Sequence, residues 1–385
     1  AAANNNTVVI SGGTVNNGVY GAYVQGAHNG SLNADGNTVS IGGNAEVKGN
    51  IYGGYVFTSG TEQAVSADNN KIIISGSADI THASLYGSNT GGSGNELVIN
   101  CWHGGVQSVE GFNLISFNDV KWHNHDTVLS VKSGARSNLD GTVIDAGHIH
   151  FSGGSDINAK DSMVLIHFDG EGDELGKSII KSGDFTAGVA LAGDGEAEVE
   201  NGDLVYHING LHTAKQVGLV AENRAVAAAF VNQGTDLIDS SLDALSRGNE
   251  YGIKTLAAVH GNSSKYDVNS DIKINGWSTI VGVGNAAEFA DGDNFSWGVF
   301  YENGSGNYRT FNEFNNEFFR GDGSLVYNGG GIAARYENNN GVYTEGSLRA
   351  GMLKSDMDNA LRDASGNNYG YESESAYYGA HIGVG

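Results

Sequence analysis

Glu222 to Arg247 reads ENRAVAAAFVNQGTDLIDSSLDALSR, the one long stretch of this chain with the composition of a helix. Ala, Leu and other straight-chain residues dominate it, whereas its flanks are built from Gly, Asn, Val, Ile, Tyr and Ser. Asn223 is placed to act as N-cap and Gly248 with Asn249 to stop the helix, which predicts an α-helix over 223–247. At 1.5 Å per residue such a helix is ~36 Å long, about the thickness of a membrane. Glu222, Arg224, Asp236, Asp239, Asp243 and Arg247 would each be costly in hydrocarbon, so it is not expected to face lipid. The segment therefore divides two β-rich regions.

The composition of those regions narrows the choices. The chain has 385 residues with 60 Gly and no Pro, a glycine share about twice the ordinary one, which excludes collagen and Pro-rich disorder and points to Gly-turned β structure. A formal charge of −24 excludes a phosphate-binding basic stripe, so no nucleic-acid partner is expected. The single Cys101 excludes an internal disulfide framework, and a buried Cys in a β layer is the expectation for it. The opening AAANNNTVVI has neither a basic nor an apolar run, implying a removed signal peptide or a fragment. No apolar run is long enough for a transmembrane helix, a test that alternating barrel strands escape.

Upstream of the helix the chain repeats. Asn6-Thr-Val-Val-Ile-Ser-Gly-Gly13 returns as Asn37-Thr-Val-Ser-Ile-Gly-Gly43, as Asn70-Lys-Ile-Ile-Ile-Ser-Gly76 and as Asn95-Glu-Leu-Val-Ile-Asn100. Tyr20-Gly-Ala-Tyr-Val24, Tyr52-Gly-Gly-Tyr-Val56 and Tyr86-Gly-Ser-Asn89 follow the first three. Units this short cannot bury an apolar face alone, so they must stack, with Val and Ile inside and Asn and Gly supplying left-handed turns. Poorer repeats continue to Leu204–Ile208, extending the predicted stack to the helix.

Downstream, strands lengthen and alternate. Val342, Thr344, Gly346, Leu348, Ala350 and Met352 share one face, and Tyr343, Glu345, Ser347, Arg349 and Gly351 the other. Phe295, Trp297, Val299 and Tyr301 oppose Ser296, Gly298 and Glu302 in the same way, as Tyr378, Ala380 and Ile382 oppose Tyr377 and His381. This is the dyad of a barrel with lipid outside and water inside. Strands are predicted over 251–266, 272–289, 294–311, 323–336, 341–356 and 373–385, with a tight link at 338–341 and looser ones at 312–322 and 359–372. Six strands are too few for a lipid-facing barrel, implying a truncated sequence.

The Gly- and Asn-rich repeat, the helix and the alternating strands opening with YGIKTLAAVHGNSSKYD together resemble a type V autotransporter of a Gram-negative outer membrane. The likeness covers the whole chain and is most specific over Asn223–Trp277. It implies an all-β chain: an N-terminal right-handed β-helix or β-solenoid passenger over 1–215, a linker over 216–250 containing the α-helix, and over 251–385 the first half of an antiparallel transmembrane β-barrel. It also implies that the helix fills the barrel pore through Asn223, Arg224, Phe230, Asn232, Asp236, Asp239, Asp243 and Arg247. Some relatives cleave themselves at an Asn in this helix; Asn232 before Gln233 is the candidate, although the family's Asn-Asn pair is missing and an ordinary polar position is the competing reading. The implied partners are outer-membrane lipid, the barrel-assembly machinery, periplasmic chaperones and a ligand on a host or neighbouring cell. No cofactor or metal is expected.

Other motifs weigh less. His123 with His125 and His148 with His150 have strand spacing that could share a face, but polar outward positions are the simpler reading. Asp169-Gly-Glu-Gly-Asp-Glu174 resembles a calcium loop only loosely. No Gly-x-Ser-x-Gly or comparable nucleophile motif occurs, so the expected role is a non-catalytic, adhesin-like surface protein. The alternative is a soluble extracellular carbohydrate-active β-helix protein.

Overall fold

The computed structural model describes residues 1–385 apart from 27–29, 60–63, 133–136, 154–155, 170–174, 247–251, 268–269, 315–316 and 364–365. The chain is mostly β and divides into two compact units, Ala1–Ala214 and Lys215–Gly385.

In the first unit each repeat supplies a pair of strands. These are Thr7–Val15 (β1) and Val19–Tyr20 (β2), Thr38–Val47 (β3) and Ile51–Thr58 (β4), Lys71–Ser75 (β5) and Ser84–Ser88 (β6), then Glu96–Asn100 (β7) and Ser108–Glu110 (β8), followed by Leu114–Lys121 (β9). Odd-numbered strands pair in parallel, β1-β3-β5-β7-β9, and even-numbered ones pair separately, β2-β4-β6-β8. The register follows the repeat, with Thr7, Thr38, Lys71, Glu96 and Leu114 at matching positions. Equivalent apolar side chains therefore stack: Val39, Ile41, Ile72, Ile74, Leu97, Ile99 and Ile115 are fully buried in one core. Tyr20, Tyr52 and Tyr86 stack in a second column, with ring centroids 5.1 and 4.7 Å apart.

The recurrent asparagines do different work from the turn role expected of them. Asn6, Asn37 and Asn70 each donate a backbone N–H to the side-chain Oδ1 of the next unit's Asn, at 3.0, 2.9 and 2.8 Å, and Asn95 does the same to Asn113 at 2.9 Å. Asn37, Asn70 and Asn95 are essentially buried, so this ladder satisfies donors that water cannot reach. The left-handed conformation falls one residue earlier, at Asn5, Gly36, Asn69 and Gly94.

The parallel stack does not run on to the helix as the repeats suggest. Ser162–Phe168 (β10) pairs antiparallel with Asp203–Thr213 (β12), which pairs antiparallel with Leu191–Glu200 (β11). Asn201 and Gly202, at φ 52° and 90°, form the two-residue turn between β11 and β12, and a turn that tight forces the chain back on itself. Cys101 is exposed rather than buried: it takes φ 50° just past β7, turning its side chain outward.

In the second unit the helical segment begins earlier than predicted and is broken. Gly218–Gln233 (α1) and Thr235–Ser246 (α2) meet at Gly234. Asn223 is no N-cap; it lies inside α1, fully buried, and Val217 occupies the cap without a side-chain hydrogen bond. Gly234 is needed for close approach, since a Cβ there would come within 2.4 Å of the Tyr327 hydroxyl. Six long strands follow: Gly252–Asp267 (β13), Ser270–Glu288 (β14), Asn294–Phe314 (β15), Glu317–Glu337 (β16), Tyr343–Arg362 (β17) and Asn368–Val384 (β18). They pair antiparallel in sequence order, with β13 and β18 at the two edges. The long links expected at 312–322 and 359–372 are largely strand, because Phe311 pairs with Arg320, Asn312 with Phe319 and Leu361 with Tyr369. Alternation carries the ladder through what composition suggested were loops.

Candidate functional site

The period-2 alternation of the second unit sorts its side chains in an unusual sense. Ile332, Leu348, Tyr378 and Ile382 are 55, 58, 84 and 82% exposed, while Glu302, Arg335, Glu345 and Arg349 are 2, 8, 8 and 7% exposed. The polar face of the sheet is the covered one, and α1 and α2 cover it. Two apolar patches dock the helices. Leu219, Val226, Phe230 and Val231 of α1 meet Ile274, Tyr308, Leu325, Tyr327 and Leu353, and Leu237, Ile238 and Leu242 of α2 meet Ile280, Phe300 and Ala333.

Phe230 shows how glycine makes this contact. A Cβ on Gly276 or Gly306 would lie 2.7 or 3.0 Å from its ring, so the paired glycines form the recess that holds it, and the ring stands edge-on to Tyr327 at 5.6 Å.

Charge is concentrated where the helix breaks. Arg349 of β17 donates through Nη2 to the Val231 carbonyl at 3.0 Å and to Thr235 Oγ1 at 3.1 Å, placing a cation at the C-terminal end of α1. Its Nη1 donates to Glu302 Oε2 at 3.1 Å, and Tyr377 donates its hydroxyl to the other oxygen of Glu302 at 2.6 Å. A second centre is Arg335. It pairs with Asp243 of α2 at 3.5 Å, with Glu337 at 3.2 Å and with Glu345 at 3.5 Å, and its guanidinium lies 3.7 Å from the centre of the Tyr343 ring. Beside it Asp239, Glu345 and His381 bring three potential ligand atoms within 4.8 Å of one another.

The helix residues singled out in the sequence divide between these surroundings. Asn223 is buried with neither amide atom hydrogen-bonded, and the neighbouring Glu222 accepts from Asn312 Nδ2. Phe230 is a packing residue, Asp243 an ion-pair residue, and Asp239 a member of the three-ligand cluster. Arg224, Asn232 and Asp236 are exposed. Asn232 lines a cleft of about 510 Å³ with Arg224, Ser355, Ser373 and Glu374, and Arg247 lies outside the described residues. Arg349, Glu302, Glu345 and His381 were legible only as polar-face residues, and Arg335 was not singled out. Their strand phase was the available signal, and their grouping depends on register between strands.

The first unit gathers no comparable constellation from the motifs noted above. His125 sits in a turn at φ 60° and His148 at φ 78°, while His150 bonds Thr186 Oγ1 at 2.9 Å, so neither pair shares a face. His123 lies 6.4 Å from His103, which pairs with Asp126 at 3.3 Å. His167 meets a carboxylate oxygen of Asp203 at 2.8 Å through Nδ1 and one of Asp169 at 3.0 Å through Nε2, the carboxylates accepting, and these, Asp203 foremost, hold its imidazole above the usual value. Of the acidic segment 169–174 only Asp169 lies within the described residues.

No protein-family model, curated protein or solved structure matches this chain.

Proposed function

We propose that the chain is an outer-membrane-anchored surface protein of the autotransporter type. In this reading β13–β18 are one part of a lipid-facing barrel wall, α1 and α2 lie in its pore, and the stacked parallel strands of the first unit are a right-handed β-solenoid passenger. The observation that carries the reading is the inverted burial of the second unit. A sheet in water keeps its apolar face covered, whereas this one covers Glu302, Arg335, Glu345 and Arg349 and presents Ile332, Leu348, Tyr378 and Ile382 outward.

Strand length supports the same reading: β14–β17 have 19 to 21 residues, more than the roughly 9–11 that cross a bilayer. The edges of β13 and β18 each pair on one side only, and backbone groups in hydrocarbon need partners, so the proposal requires further strands between them. Lipid, the barrel-assembly machinery and periplasmic chaperones follow as partners, with a cell-surface ligand for the passenger.

Tryptophan placement supplies the test. Trp277 and Trp297 are 45 and 44% exposed on the outer face, whereas Trp102 and Trp122 are 1 and 2% exposed within the core of the first unit. In membranes containing brominated acyl chains, emission of Trp277 and Trp297 should be quenched and that of Trp102 and Trp122 should not. Recovery of the full-length product in the soluble fraction without detergent, with no quenching of either pair, would refute the proposal.

A further inference from the structure

We propose that Asp239, Glu345 and His381 bind a single divalent cation of the zinc class and so clamp α2 to the sheet. The three residues come from three separate segments, α2, β17 and β18, and converge through tertiary structure alone. Asp239 Oδ1, Glu345 Oε2 and His381 Nδ1 are each sealed from solvent, and each lacks a hydrogen-bond partner. Glu345 is more than nine-tenths buried, and its Oε2 has no hydrogen bond, with only the Arg335 guanidinium near it at 3.5 Å. Sealed polar atoms left unbonded are costly, and one cation held between the three would satisfy them together.

Geometry and donor chemistry select the ion. Asp239 Oδ1 and His381 Nδ1 are 3.5 Å apart, and the full set lies within 4.8 Å. Ligands bound to zinc at ~2.0–2.2 Å sit roughly 3.3–3.5 Å from one another in a tetrahedron, so the widest side needs to close by about an ångström. One imidazole nitrogen and two carboxylates match a three-ligand zinc site with its fourth position left to water. Calcium takes about 6–8 oxygens and magnesium an oxygen-rich octahedron, which this set does not offer.

Arg335 is the obvious competitor, since its Nη1 lies 3.5 Å from Glu345 Oε2. That guanidinium is also shared with Asp243 and Glu337 and stacked on Tyr343, contacts that hold it in place when Glu345 turns toward a cation. Among the described residues, Asp239 has a single ion-pair contact, His381 at 3.5 Å. The competing arrangement is a direct pairing of His381 with Asp239, which requires no metal. This inference does not rest on the membrane reading, because the three residues converge whether the outer face meets lipid or detergent.

The purified full chain, stripped with a chelator, is titrated with Zn²⁺ alone against a chromophoric competitor and, separately, with Co²⁺ followed by visible absorption. One equivalent of Zn²⁺ is expected, with Co²⁺ bands characteristic of nitrogen and oxygen donors. Glu345→Gln and His381→Gln should each weaken Zn²⁺ binding on the order of 100-fold, and His381→Cys should restore it with a sulfur-to-cobalt band. His103→Gln and His167→Gln, in the first unit, should leave that equivalent unchanged. Absence of a Zn²⁺ equivalent in the wild-type chain overturns the proposal whatever the variants do. So does affinity unaffected by both ligand substitutions.

Discussion

Replacing Arg349 by Met should release the break between α1 and α2 from the sheet, at a cost that can be worked from its contacts. The side chains of Arg349 and Glu302 are 5 and 3% exposed, so neither charge can turn to water. Removing the guanidinium leaves the Glu302 carboxylate, among the described residues, with the Tyr377 hydroxyl as its one side-chain donor, and it takes away two bonds to the helical segment, at Val231 and Thr235. Breaking one partner out of a buried pair costs about 3–5 kcal/mol. Removing both charges together, as Arg349→Met with Glu302→Leu, leaves no stranded charge; the remaining loss is roughly 1 kcal/mol for each hydrogen bond to the helix. The double variant should therefore be more stable than Arg349→Met alone. Hydrogen exchange followed by mass spectrometry in rising urea reports this unit separately, through peptides of α1 and β17. The single variant should lower their midpoint by roughly 1–5 M, for a slope of about 1–3 kcal/mol per molar urea. A single substitution costing less than about 1 kcal/mol, or a double variant as unstable as the sum of its singles, would refute this account of the pair.

Three further expectations follow from other parts of the molecule. Asn70→Ala removes the acceptor for the buried Asn37 N–H and should destabilise the first unit by about 1–3 kcal/mol, seen as faster exchange at β3 and β5 with the second unit unaffected. Gly276→Val puts branched carbon where Phe230 and the Ser305 carbonyl lie 2.7 Å from a bare Cβ; it should cost about 1–3 kcal/mol, and Phe230→Leu in the same chain should recover part of it. His167, whose imidazole is held above its ordinary value near 6.5 by Asp203 and then Asp169, should contribute stability that is fully present below that value and lost as pH rises through its raised folded-state value. An NMR titration should place its midpoint above that of an unfolded histidine, and His167→Gln should abolish this part of the pH dependence; a midpoint at or below the ordinary value would count against the ion pairs.

How far the sequence went can be followed residue by residue. The spacing of Asn6, Asn37, Asn70 and Asn95 marks the strand register, because each Asn immediately precedes strands whose first residues pair. The bonding role of those asparagines was hidden, since a side chain spanning two repeats is invisible in either repeat alone. Asn201-Gly202 carries a hairpin signal of its own, yet weak repeats on both sides masked it as another parallel layer. In the second unit, alternation over Phe295–Tyr301 and Val342–Met352 already separated the two faces, while loop-like composition at 312–322 and 359–372 gave way to strand pairing. The glycine at 234, between α1 and α2, lies against the Tyr327 hydroxyl, a contact that only the tertiary structure supplies.

By itself the sequence determined the β-rich character, the repeat and the two faces of the long strands, because these depend on composition and on periods of a few residues. Which face is covered was decided only by tertiary structure. Glu302 meets Arg349 across 47 residues, and Arg349 meets Val231 across 118. Asp239, Glu345 and His381 come together only when a broken helix packs onto two adjacent strands in one register, and no local signal can specify contacts whose partners lie that far along the chain.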